Sequence, residues 1–258
     1  MALSHPLSLK TRLAEADGGP VHMIWCQMPG EGQAAAMVRG GFAGVLCDMQ
    51  HGFASYDEMR LMVQATGRAG GIPMMRPPLD DFGMVARGLD AGASVIIAPM
   101  INTVSDATRL VDAARYPPLA SRSFGPAQAL ELWEMDAQSY LSAANDLTCV
   151  LAMVETAEAI SNLDDILGVD GIDGVFVGPY DLSINLSAGK VGGANDPDVI
   201  DALPKIVACA RKHGKISGIY ASGADQARGF AAQGFNLISA ISDAGLLAAG
   251  AKAVLDEV

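Results

Sequence analysis

The stretch Met153–Ser183, MVETAEAISNLDDILGVDGIDGVFVGPYDLS, decides how the rest of the chain is read. Before it runs LTCVLAMV (Leu147–Val154), an uncharged apolar segment that reads as a strand buried on both faces of a parallel sheet, with Glu155 as its last residue. A helix-like segment follows. GVFVGP (Gly174–Pro179) is then a second short apolar run, closed by Gly and Pro, and Asp181 sits just past that stop. Two strands joined through a helix run parallel and end on the same side. Glu155 and Asp181 therefore share one rim.

The same alternation extends in both directions. Apolar runs near 21–28, 44–49, 72–76, 94–100, 147–155, 174–179, 215–220 and 236–242 alternate with helix-period segments, which predicts a (β/α)8 barrel, a single domain over residues 1–258. Ser55-Tyr56-Asp57-Glu58 and Ser222-Gly223-Ala224-Asp225 each place a Ser where it would cap a helix. The first of these helices carries Tyr56, Met59, Met62 and Val63 on one face, a core stripe. Between about Tyr116 and Asn145 the prolines Pro117-Pro118 and the run Phe124-Gly125-Pro126 read as a long connection, a length that is usually functional. The tail from Gly245 to Val258 is Ala/Leu-rich and helical.

The longest apolar run, around Val95–Ile101, falls far short of a membrane span. A net charge of −12, with 17 scattered basic residues, excludes a nucleic-acid surface or an anionic-membrane surface, since both need clustered Lys and Arg. The N-terminal stretch lacks the apolar segment of a secretory signal, so a cytoplasmic location is expected. Four cysteines (Cys26, Cys47, Cys149, Cys209) form no CxxC pair, and three of them lie inside predicted strands, where a small buried thiol is the ordinary reading.

In parallel barrels the chemistry sits at the carboxyl ends of the strands. Sorting polar residues by that rule gathers Trp25, Asp48, His51, Arg76, Glu155 and Asp181 at one mouth. His22 and His213 precede strands and His5 is N-terminal, so His51 is the one imidazole that can reach it. Two like charges about 4 Å apart at an effective dielectric near 20 repel by roughly 4 kcal/mol, so three rim carboxylates call for a cation. Oxygen donors suit Mg or Mn, and Co when water and substrate oxygens complete the set. The alternative is a salt-bridged rim acid beside a helix-capping one. Arg76 ends a buried strand, which is costly unless an anion or keto oxygen receives its donors, or Asp48 pairs with it. The segment Gly178, Pro179, Tyr180 and Asp181, where a new element starts, is a candidate to bind a substrate carboxylate through its backbone N–H groups, Pro179 lining the site without one. None of the six lysines points into the mouth, which disfavours Schiff-base chemistry.

In order and spacing, VET, NLDDIL, GIDGVFVGP and DLS resemble the core motif of the HpcH/HpaI aldolase family, the metal-dependent pyruvate aldolases, and the resemblance runs from Trp25 to the last helix. It implies reversible cleavage of 4-hydroxy-2-oxo acids to pyruvate and an aldehyde, with Glu155 and Asp181 as ligands of Mg, Mn or Co. It also implies that Arg76 contacts the keto oxygen and stabilises the enolate. Trp25, Asp48, His51 and Asp90 match family positions, His51 and Asp90 as a dyad; as the one imidazole at the mouth, His51 is expected to be the acid/base group. A homo-oligomer, hexameric by the same resemblance, is expected, with the last helix against a neighbouring subunit. Two positions depart from the pattern: Gln50 stands where many members carry Glu, and Met153 where many carry Gln. Two other readings stay open, a CoA-thioester lyase of the citrate-lyase β type, for which Arg122 is the sole basic support, and a non-catalytic barrel acting as a binding module.

Overall fold

The structure is a computed structural model and describes residues 4–258; residues 1–3 of the N-terminal stretch lie outside it. Along the chain come α1 (Leu9–Glu15), β1 (Val21–Cys26), α2 (Glu31–Arg39), β2 (Gly44–Asp48), α3 (Tyr56–Arg68), β3 (Ile72–Arg76), α4 (Phe82–Asp90) and β4 (Val95–Ala98). Then follow α5 (Val104–Ala114), α6 (Ala127–Leu132), α7 (Ala137–Leu147), β5 (Cys149–Val154), α8 (Ala157–Ser161), α9 (Leu163–Gly168) and β6 (Gly174–Val177). The chain ends with α10 (Pro179–Leu186), a short 3₁₀ turn (Gly193–Asn195), α11 (Pro197–Lys212), β7 (Ile216–Tyr220), α12 (Ala224–Gln233), β8 (Leu237–Ser242) and α13 (Asp243–Leu255). All eight strands are parallel and β8 closes on β1, so the predicted (β/α)8 barrel is what forms.

The strands are apolar on both faces because each face meets a different core. Met23, Trp25, Leu46, Met74, Leu151, Met153 and Phe176 fill the barrel interior. Their alternate neighbours Ile24, Val45, Cys47, Met75, Val150, Ala152 and Val175 pack outward under the helices. This is the period of two that a strand imposes. Leu9 of α1 joins the interior cluster and closes the amino-terminal end of the barrel. Inside, Phe176 has its space because the neighbouring strand offers Gly218: a Cβ there would stand 2.4 Å from the ring. Arg115, 1% exposed, ties α5 to the amino-terminal end of β5 by donating to Thr148 Oγ1 at 2.9 Å and pairing with Asp173.

Ser55 caps α3 in a full capping box with Glu58, and Met59, Met62 and Val63 are buried beneath it. Ser222 does not cap α12. Gly223 occupies that position, while the Ser222 N–H is taken by the Gln226 side chain at 2.9 Å. The expected connection at 116–145 also differs, because it contains α6 and α7. Tyr140, Ala143, Ala144 and Leu147 recur at helical spacing and pack with Trp133, Tyr116 and Leu7 into a third cluster. The prolines at 117, 118 and 126 interrupt only the segment before them. Cys26, Cys47 and Cys149 are buried free thiols, and Cys209 on α11 is half-buried. Among the described residues no helix is long and apolar enough to cross a membrane.

Candidate active site

A cavity of about 240 Å³ opens at the carboxyl ends of the strands, and Trp25, His51, Arg76, Glu155, Gly178, Pro179, Tyr180 and Asp181 all line it. Its floor is set by strand register. Asp48 and Arg76 are the paired last residues of β2 and β3, so their side chains meet without any loop to position them. Arg76 Nε donates to Asp48 Oδ1 at 2.8 Å and Nη2 to Oδ2 at 2.6 Å, a bidentate pair with both partners buried. Trp25 Nε1 donates to Asp48 Oδ2 at 3.2 Å, and the Arg76 guanidinium lies 4.8 Å from the Trp25 ring centroid. The N–H groups of Gln50 and His51 donate to Asp48 Oδ1 at 3.0 and 3.2 Å. Burial pushes the Asp48 carboxyl upward, but the hydrogen bonds and charge of Arg76, with those of Trp25 and His51, hold it below its usual value. Asp48 is thus a fixed anion that orients Arg76, leaving Nη1 with no partner among the described residues.

Glu155 immediately follows β5, which ends at Val154, one residue short of the expected boundary. It is 2% exposed, and its Oε2 accepts from Met100 N–H at 2.9 Å. Met100 offers that N–H from a left-handed backbone conformation (φ 53°), uncommon for a residue with a side chain. Burial, together with the neighbouring Asp181, raises the Glu155 pKa to about 7, against the lowering effects of the Met100 N–H and Arg76. Asp181 lies in the first turn of α10, whose first residue is Pro179 and whose preceding Gly178 leans on Glu155: a Cβ there would stand 2.5 Å from Glu155 Oε1.

Residues 23–249 match the HpcH/HpaI aldolase/citrate lyase family. The chain belongs to that family. It is 36% identical over 246 residues to a protein of Rhizorhabdus wittichii named hydroxypyruvate/pyruvate aldolase, covering 95% of this chain and 97% of that one. A 4-hydroxy-2-oxo-heptane-1,7-dioate aldolase of Salmonella heidelberg is 34% identical over 237 residues, covering 92% of this chain and 89% of that one. Among solved structures, the HpcH/HpaI aldolase of Desulfitobacterium hafniense superposes with a TM-score of 0.85 at 25% identity, covering 97% of this chain and 96% of that one.

One family position, Asp90, does not reach this mouth within the chain. It is the last residue of α4, and α4 runs back from the mouth for nine residues, about 13 Å at 1.5 Å per residue. At the opposite end of the barrel Asp90 accepts from Arg122 Nη2 at 2.6 Å, and the buried Arg122 stacks on Tyr116 at 4.4 Å. The His51–Asp90 dyad therefore does not form inside one copy of this HpcH/HpaI barrel. Arg122 is buried, with Nη2 on Asp90 and with Nε and Nη1 unpartnered among the described residues, so it presents no exposed patch for CoA phosphates. None of the six lysines lines the cavity; Lys215, for example, donates to the Val169 carbonyl at 3.2 Å, at the amino-terminal end of its strand. Asp164, Cys209 and His213 bring donor atoms within 4.8 Å of one another, but at the far end of the barrel, where Lys212 already holds Asp164 at 2.6 Å.

The cavity also has walls that the sequence reading did not name. Gln27, just after β1, and Tyr220, the last residue of β7, line it beside Met153. Tyr220 stands edge-on to Trp25, with centroids 5.8 Å apart, and 6.2 Å from Tyr180, whose hydroxyl meets Ser222 Oγ at 3.1 Å. Asp243, fully buried at the start of α13, accepts from Met28 N–H at 2.9 Å and Gln33 Nε2 at 3.0 Å, so the loop after Gln27 is fastened to the end of β8.

Proposed function

We propose that the protein is a carbon–carbon lyase that reversibly cleaves 4-hydroxy-2-oxo acids to pyruvate, or a related 2-oxo acid, and an aldehyde, with a divalent ion (Mg, Mn or Co) held by Glu155 and Asp181. The observation that carries this reading is the pairing of those two carboxylates with the Arg76 guanidinium around one cavity. The donor set fits a hard divalent ion: Glu155 and Asp181 offer oxygen donors side by side at one mouth, and burial beside Asp181 raises the Glu155 pKa to about 7, a cost that a cation held by the two would offset. When bound, such an ion polarises the keto group of the 2-oxo acid and takes up negative charge as C3 loses its proton or its bond to the aldehyde carbon.

The remaining work falls to the chain. Arg76, held by Asp48 and Trp25, presents Nη1 to the keto oxygen, so its charge is oriented before the oxygen becomes negative. The free N–H groups of Tyr180 and Asp181 in the first turn of α10 face the substrate carboxylate; Pro179 has none to offer. His51 moves the proton at the aldehyde oxygen or at C3. Asp90 can serve His51 only from another copy, which agrees with a homo-oligomer. The exposure of Leu247, Val254 and Leu255 on α13, at 55, 64 and 70%, supports a second copy covering that helix. The decisive experiment is pyruvate release from a panel of 4-hydroxy-2-oxo acids, with and without a chelator. Release that is abolished by chelation and restored by Mg, Mn or Co is expected. Full activity in excess chelator would remove the metal from the reading, and no release from any substrate would remove the reaction.

A further inference from the structure

Three side chains at the amino-terminal end of the barrel converge on one point, and the chemistry at the mouth uses none of them. Asp164 lies in the first turn of α9, Cys209 in the last turn of α11, and His213 follows as the C-cap of α11. The His213 backbone stays close to helical (φ −87°, ψ 0°), so Cys209 and His213 stand four residues apart on one face. Asp164 Oδ1 is 3.6 Å from Cys209 Sγ and 2.9 Å from His213 Nε2, and the three donor atoms all lie within 4.8 Å of one another. Their supports are rigid. Leu163 and Ile166 of α9 and Ile206 and Ala210 of α11 are buried in one core cluster. Cys209 also differs from the other cysteines: Cys26, Cys47 and Cys149 are enclosed in strands, whereas its thiol is only half-buried.

We propose that Asp164, Cys209 and His213 form a second metal site, one that takes Zn²⁺ and is chemically distinct from the oxygen donors at the mouth. A thiolate, an imidazole and a carboxylate are the donors zinc takes, whereas Mg and Mn favour oxygen ligands. The spacing agrees. With Zn–S about 2.3 Å and Zn–N and Zn–O about 2.1 Å, tetrahedral angles put sulfur about 3.6 Å and nitrogen about 3.4 Å from the oxygen. The sulfur–oxygen separation already has that value, and the nitrogen–oxygen separation has to open by about 0.5 Å. Three protein ligands leave the fourth position to water. As the S–Zn bond forms, the Cys209 thiol gives its proton to solvent. Lys212 Nζ, 2.6 Å from Asp164 Oδ1, is the competitor, but its side chain is 65% exposed and leaves for water at the small cost of an exposed ion pair. The bound ion clasps α9 to α11. It stands at the other end of the barrel from Glu155 and Asp181, so the site does not depend on the aldolase reading.

The test titrates the full chain, in excess Mg²⁺ to occupy oxygen donors, with Co²⁺ as a coloured probe for zinc. The wild-type protein is expected to develop the intense near-ultraviolet charge-transfer band of a thiolate ligand. Zn²⁺ should displace the Co²⁺ and raise the thermal midpoint with rising concentration. Cys209→Ser should abolish the band, and both Cys209→Ser and His213→Ala should weaken Zn²⁺ binding by roughly 100-fold or more, since even a change in a ligand's surroundings costs up to about that much. Lys212→Gln frees Asp164 and should tighten binding about two- to fivefold, the scale of an exposed ion pair. Circular dichroism shows that each variant keeps the barrel. Absence of the thiolate band from the wild-type protein, or a Zn²⁺ affinity undiminished in Cys209→Ser, would overturn the inference.

Discussion

Gly178→Ala isolates the contact that sets Glu155 against the start of α10. The backbone at Gly178 has φ −96° and ψ 90°, which alanine adopts without strain, so the substitution acts through its methyl group alone. That methyl would stand 2.5 Å from Glu155 Oε1, 3.0 Å from Cγ and 3.1 Å from Cδ. Restoring ordinary contact at about 3.5 Å requires the carboxylate to retreat by about 1 Å. Metal–oxygen distances tolerate only about 0.2 Å, so a shift of this size removes the ligand from its position. Retreat also pulls Oε2 from the Met100 N–H, now 2.9 Å away. The expected result is a Mn²⁺ affinity lower by roughly 100-fold, the upper end of what disturbing a ligand's surroundings costs, with a parallel loss of turnover. Titration calorimetry reads the affinity, and circular dichroism shows whether the barrel is retained. Gly229→Ala in α12, where no atom lies within 4 Å of the added methyl, is the control and should stabilise by about 0.5–1 kcal/mol. Unchanged Mn²⁺ affinity in Gly178→Ala would refute the reasoning, because Glu155 could then not be a ligand in the position described.

Arg76→Lys replaces a bidentate fork with a point charge. Turnover and C3 deuterium exchange should both fall by about two orders of magnitude or more, the scale of losing one preorganised donor; near-normal rates would make Arg76 a structural partner of Asp48 alone. His51→Ala should keep Mn²⁺ and pyruvate affinity while turnover drops roughly 10²- to 10⁴-fold, and a variant as fast as wild type would leave His51 out of the proton transfer. Because Glu155 is raised from 4.5 to about 7, the folded metal-free protein holds an extra proton between those values, and this contribution to stability is lost as pH rises through 7. Mn²⁺ binding near pH 6 should therefore release about one proton, measured by calorimetry in buffers of different ionisation enthalpy, and release should fade above pH 8. No release at pH 6 would mean that Glu155 is already ionised.

Much of the barrel is legible in the sequence because a strand buried on both faces must be an uninterrupted apolar run, and β2, β3 and β6 fall where such runs do. The rim residues are legible for the same reason: a charged side chain that ends such a run, as Asp48 and Arg76 do, can lie only at a barrel mouth. What escapes is geometry with no local signature. The left-handed Met100 backbone is imposed by its surroundings, and nothing about methionine announces it. Tyr220 ends β7 just as Arg76 ends β3, so its position was the available signal, although its chemistry is quieter. Asp90 is the opposite case, a matching motif residue whose helix carries it away from the mouth of its own chain. In α6 and α7 the helical spacing from Ala129 to Leu147 is present in the sequence, but it follows Pro117, Pro118 and Pro126, whose breaking signal extends only to the segment before it.

The buried Asp243 carboxylate ties together residues 215 positions apart, and the wall at Gln27 depends on that tie. Synthesis delivers the chain from its amino end, so Gln27 and Met28 emerge long before the group that fixes them. Until Asp243 has emerged, β1 lacks its second neighbour and the Met28 N–H is left to water. The cavity is thus among the last parts of the molecule to be completed. A chain stopped short of residue 243 would carry Asp48, Arg76, Glu155 and Asp181 yet have no finished wall to hold an aldehyde against them.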